Sequence, residues 1–132
     1  MSKNKLTTEE QFLTLEQAKE LQKLGIDFSG AIYCFGKRIK DSRGNKILRQ
    51  KSFLCPSGNH GVRSVLLEQY EFIPTLSVAE MIEMLPDNTE IESVNGYLIY
   101  NERLKINGGI YKPLLRDALF EMLKWLKQNK LI

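Results

Sequence analysis

From Thr14 to Gly25 the chain reads TLEQAKELQKLG, and Leu15, Ala18, Leu21 and Leu24 recur at every third position. That spacing lays one apolar stripe along an α-helix. Thr14 suits the N-cap, with Gln17 at the capping-box position, and Gly25 can take the left-handed conformation that closes a helix. The pattern predicts a helix over about 15–24. In TLSVAEMIEMLP, Ser77 and Glu80 form a full capping box, Leu76 and Met81 stand at staple positions, and Pro86 stops the run. A second helix is therefore predicted over about 78–85. At the end, Leu115, Leu119, Met122 and Leu126 form a stripe widened by Leu114, Ala118, Leu123 and Trp125. Pro113 fits a first helical turn, and lysines at 124, 127 and 130 complement the negative end of the dipole, so a third helix is predicted over about 114–129.

Between the helices the period shortens. AIYCF (31–35) is β-branched and aromatic and reads as a strand. DSRGNK (41–46) is turn chemistry, and a returning strand is predicted near 46–54. Residues 55–61 read as a break, and VRSVLLEQYEFIP as a strand ending at Pro74, which has no N–H for a ladder. TEIESVNGYLIYNERLKINGG reads as a hairpin or meander with a tight turn at Asn95-Gly96 and further turns near 101–103 and 107–109. The order α-β-β-β-α-β-β-(β)-α predicts an α+β fold, a mostly antiparallel sheet of about five to six strands with three helices packed on it. Length predicts a single domain over 1–132, with a basic hairpin arm at about 36–54.

Composition alters this picture little, but charge distribution alters it more. Apolar residues are 42% and charged residues 27% of 132, as in globular chains. No apolar run approaches the roughly 20 residues a bilayer demands. MSKNKLTTEEQ lacks the apolar centre of a signal peptide, which predicts a cytoplasmic protein with no membrane partner. The net charge is +3, yet KRIKDSRGNKILRQK (37–51) holds seven Lys or Arg against one Asp, which leaves the rest of the chain at −3. Such a segment can lie against a phosphate backbone through Lys37, Arg38, Lys40, Arg43, Lys46, Arg49 and Lys51. Tyr33, Phe35 and Phe53 flank it and none lies within it, so stacking on single strands has little support from sequence. The bland alternative is a solvated hairpin whose charge guards against edge-to-edge pairing.

Cys55 and the single histidine, His60, share the stretch FLCPSGNHGV. As nucleophile and base they lack an orienting carboxylate nearby, and Pro56 offers no N–H to an oxyanion. Pro56-Ser57-Gly58-Asn59 reads equally as a turn. Two cysteines and one histidine, without a C-x-x-C motif, fall short of a structural zinc set, so no metal is predicted. The pair Cys34 and Cys55 reads as free thiols, with Cys34 a small buried hydrophobe on its strand. Gly58, Gly61 and Gly108-Gly109, even with Lys112 ahead of the last helix, lack the spacing of a phosphate or dinucleotide loop, and no cofactor is predicted. Trp125 is expected in the core, and Leu131-Ile132 is a candidate for self-association or a protein partner.

The blocks LTLEQAKELQKLG, FIPTLSVAEMIEMLP and LLRDALFEMLKWLKQNKLI, over a third of the chain, resemble a group of small uncharacterised proteins encoded in prophages and other mobile elements of gut-dwelling Bacteroides-type bacteria. The resemblance implies a phage or mobile-element origin and a shared fold. It implies no activity, and the basic 37–51 segment has no counterpart in it. The leading expectation is a small non-enzymatic accessory protein that acts by binding a protein partner or itself. The alternative is a nucleic-acid-binding module using the 37–51 hairpin. A third reading is a cysteine-dependent enzyme using Cys55 and His60.

Overall fold

A computed structural model describes residues 7–47, 51–56, 69–104 and 109–132. Its helices are α1 (Leu15–Lys23), α2 (Val78–Glu83) and α3 (Leu115–Gln128). Its strands are β1 (Tyr33–Arg38), β2 (Phe53–Pro56), β3 (Tyr70–Thr75), β4 (Glu90–Ser93), β5 (Tyr97–Tyr100) and β6 (Ile110–Lys112). The fold is α+β. Among the described residues the six strands divide into two antiparallel three-stranded sheets, ordered β2-β1-β3 and β4-β5-β6. The sequence pattern pointed to one sheet, but α2 stands between β3 and β4 and starts the second.

Both predicted capping boxes form. The Thr14 hydroxyl accepts from the Gln17 N–H and the Gln17 side chain accepts from the Thr14 N–H. Ser77 and Glu80 do the same for α2. Gly25, at φ 97°, closes α1 with the Ile26 N–H on the Leu21 carbonyl and the Gly25 N–H on Gln22. That is a Schellman closure, and it buries Ile26 against Leu21. Pro113 does not enter α3 as predicted. It lies before the Leu114 N-cap and holds Lys112 in the extended form that keeps it in β6.

Two strand boundaries also differ from the pattern. β1 begins at Tyr33 and runs through Gly36 to Arg38, because β2 and β3 pair with it on both sides. Cys55 and Pro56, read as a break, belong to β2, and Pro74 is followed by one more β3 residue. Both prolines are tolerated because β2 and β3 are the edges of their sheet. The Asn95-Gly96 hairpin is present, with Val94 to Gly96 connecting the paired Ser93 and Tyr97.

The core joins both sheets through the helices. α1 packs on β3 and α3, and α3 packs on α2, β5 and β6. Leu13, Leu21, Met81, Ile99, Leu119, Met122, Leu123 and Leu126 are fully buried there, and Trp125 packs against them half-buried. The segment before α1 runs beside the end of β3. Phe12 bridges Ser77, the Leu13 N–H donates to the Leu76 carbonyl, and the buried Thr75 hydroxyl donates to the Leu13 carbonyl.

Candidate nucleic-acid interface

Alternation along the first sheet sorts its side chains onto two faces. One carries Phe35 and Lys37 of β1 and Glu71 and Ile73 of β3, which with Leu15 and Lys19 of α1 line a shallow recess. This is the face that α1 covers. The other carries Cys34, Gly36 and Arg38 of β1, Phe53 and Cys55 of β2, and Tyr70, Phe72 and Pro74 of β3.

On that outer face Phe53 and Phe72 are 44% and 36% exposed. Both stand in register with Gly36, one from each side. Gly36 has no side chain, so the rings lean over it. A Cβ there would come within 2.6 Å of Phe53 Cζ and 3.0 Å of Phe72 Cε1. Tyr70 completes the group, edge-on to Phe53 at 6.1 Å and stacked on Phe72 at 6.0 Å. Three aromatic rings thus span all three strands.

The basic hairpin grows from the end of β1. Ile39 and Ile47 are joined by a backbone hydrogen bond, and Lys40 bridges Lys46. Asp41 closes the tip, its carboxylate accepting from the Arg43 and Asn45 N–H groups. Those bonds hold its pKa below the usual 3.8, the bond from Asn45 foremost. Lys40, Arg43, Lys46 and Lys51 are exposed, and Arg38, on the aromatic face, is half-buried with its Nε donating to the Lys40 carbonyl. Like charges directly opposite each other, as Lys40 and Lys46 are, repel. Lys37 points away from this group into the α1 recess. Arg49 lies outside the described residues.

The Cys55 side chain meets a different partner from the one its sequence neighbourhood offered. Its Sγ lies 3.4 Å from Cys34 Sγ, and both thiols are free. Burial first, and then the hydrogen bond with Cys34, push the Cys55 pKa up to about 11. A catalytic cysteine requires the opposite shift. His60 and the 57–59 turn residues lie outside the described residues, as do Gly58, Gly61 and Gly108. Gly109, at φ 81°, is a close-approach position where a Cβ would meet the Ile99 carbonyl oxygen at 2.8 Å. Among the described residues no group of three or more His, Cys, Asp or Glu side chains is placed to hold a metal ion. Nor, among them, is any helix long and apolar enough to cross a membrane.

Sequence reasoning found the basic residues and the flanking Phe53 but missed the two rings of β3 that accompany them. Tyr70 and Phe72 lie far along the chain from residues 37–51, and only the β1–β3 register brings them together. The available signal was their alternation in QYEFIP. Comparison with protein-family models, curated proteins and solved structures found no match.

Proposed function

We propose that this chain is a non-catalytic binding protein that takes single-stranded nucleic acid onto the outer face of its first sheet. The observation that carries the reading is the pair of exposed rings Phe53 and Phe72, joined by the half-buried Tyr70, beside Arg38 and the basic hairpin. Bases stack on aromatic rings regardless of sequence, and Lys and Arg side chains neutralise the backbone that links them. Lys40 and Lys46, opposed across the hairpin, lose their mutual repulsion when a phosphate lies between them. An accessory role in a phage or mobile element, within the cytoplasm, belongs to the same proposal. The support for the mobile-element origin is the resemblance of the three helix blocks.

Fluorescence anisotropy with a labelled oligothymidine tests the reading. Binding is expected at low salt, with log affinity falling against log salt at a slope of about −2 to −3, as for three or four phosphate contacts on a single strand. Phe72→Ala and Phe53→Ala should each weaken binding by roughly 5- to 100-fold, the worth of one stacked base. Arg43→Ser should weaken it and flatten the slope, whereas Lys37→Ser, in the α1 recess, should change it little. No binding at low salt, or equal affinity for duplex with no effect of the ring variants, overturns the proposal.

A further inference from the structure

Cys34 and Cys55 are Cα partners in the β1–β2 ladder, with their sulfurs 3.4 Å apart. Directly opposed residues of an antiparallel pair have Cα atoms about 4.5 or 5.5 Å apart, depending on the type of pair. Both values fall inside the roughly 4.4–6.8 Å that disulfides bridge. The two side chains point to the same face, so the sulfurs need only close to the bond length of about 2.05 Å. We propose that this pair is a redox modification site, converted by low-molecular-weight disulfides of the glutathione class into a cross-strand disulfide.

The chemistry balances in two exchanges. Cys55 is half-exposed and Cys34 buried, so Cys55 meets the oxidant first. Its thiolate attacks one sulfur of the small disulfide, forms a mixed disulfide and expels the other half as a thiolate. Cys34 then loses its proton and displaces the second half from Cys55. Two protein thiols are oxidised and one small disulfide is reduced to two thiols. The thiolate of Cys55 is scarce at neutral pH, since burial and Cys34 hold its pKa at about 11. The first exchange is therefore slow near pH 7 and accelerates roughly tenfold per pH unit, in step with the thiolate fraction. Such a site records sustained oxidation and is unsuited to rapid catalysis. The bond would also clamp the two strands from which the 39–47 hairpin extends. The inference stands independently of the nucleic-acid reading.

The test incubates the full chain with excess oxidised glutathione at about pH 8.5, where exchange is faster. Intact mass, a free-thiol count and a non-reducing digest are the readouts. The expected product is a monomer lighter by two hydrogens, with no free thiol and a digest fragment linking Cys34 to Cys55. Its melting temperature should rise on the order of 10 °C and fall back on reduction. Cys34→Ser should instead stop at a glutathione adduct on Cys55. Wild-type protein that ends as a glutathione adduct, as a disulfide-linked dimer or with both thiols free overturns the proposal, whatever the behaviour of the variant.

Discussion

Asn101 is one of two polar side chains buried among the described residues, and it is bonded at both ends of its amide. Its Nδ2 donates to the Asp87 carbonyl and the Thr89 hydroxyl, and its Oδ1 accepts from the Arg103 N–H. It therefore ties the loop after α2 to the turn after β5. Asn101→Ala leaves those groups unpaired and should cost about 2–3 kcal/mol, read as a shift in the urea midpoint. Asn101→Asp should cost at least as much, because a carboxylate cannot donate to Asp87 and Thr89. In the sequence Asn101 was legible only as a turn residue. Its burial depends on a second loop arriving from over ten positions away. The same limit explains Cys55. His60 was its visible neighbour in sequence, and Cys34, its neighbour in space, required the strand register.

At the scale of elements, the helices were legible because their signals are local. A cap, a stripe and a stop lie within a dozen residues of each other, and both capping boxes form as read. Thr14→Ala and Ser77→Ala should each destabilise the fold by about 1 kcal/mol, measurable by thermal or urea unfolding. Strands were legible as regions but not by boundary, since neighbours across the ladder decide how far each runs. The hairpin tip carries its own prediction. Asp41 is held below its usual pKa of 3.8 by the Asn45 and Arg43 N–H groups. The order it confers is complete above that usual value and is lost as pH falls through the lowered one. Amide exchange at Arg43 and Asn45 should therefore be slow relative to Asp41→Ala at neutral pH, with the difference vanishing as pH falls through the lowered pKa of the carboxylate. Equal protection in the variant at neutral pH would remove the carboxylate from the account.

Over the whole molecule, the two sheets turn unlike outer faces to solvent. The first is aromatic and basic. The second carries Leu98, Tyr100 and Tyr111 with Glu90 and Glu92, and the Tyr100 hydroxyl donates to both carboxylates, which raise its pKa. Aromatic exposure alone does not distinguish them, since Tyr111 is 51% exposed. Charge does. Oligothymidine affinity should fall with Phe72→Ala and stay within about twofold of wild type with Tyr111→Ala, because stacking without phosphate neutralisation contributes little. This asymmetry was half legible. The +6 segment stood out in the sequence, but Glu90 and Glu92 gain meaning only once alternation in β4 puts them on one face.

The interface between α1 and α3 has a consequence in time. Gln17 donates to Asp117 at 2.8 Å, and Lys124 pairs with Glu20 at 2.7 Å, so the first helix is completed by the last. Contacts between such distant residues carry a large loop-closure cost and form late. At synthesis rates of about 5–20 residues per second, the apolar stripe of α1 emerges roughly 5–20 s before α3 exists to cover it. During that interval Ala18 and Leu21, fully buried in the finished protein, have no native helix to pack on. Nascent chains paused before residue 115 should therefore be open to chaperones and proteases, and productive folding should begin only as α3 leaves the ribosome.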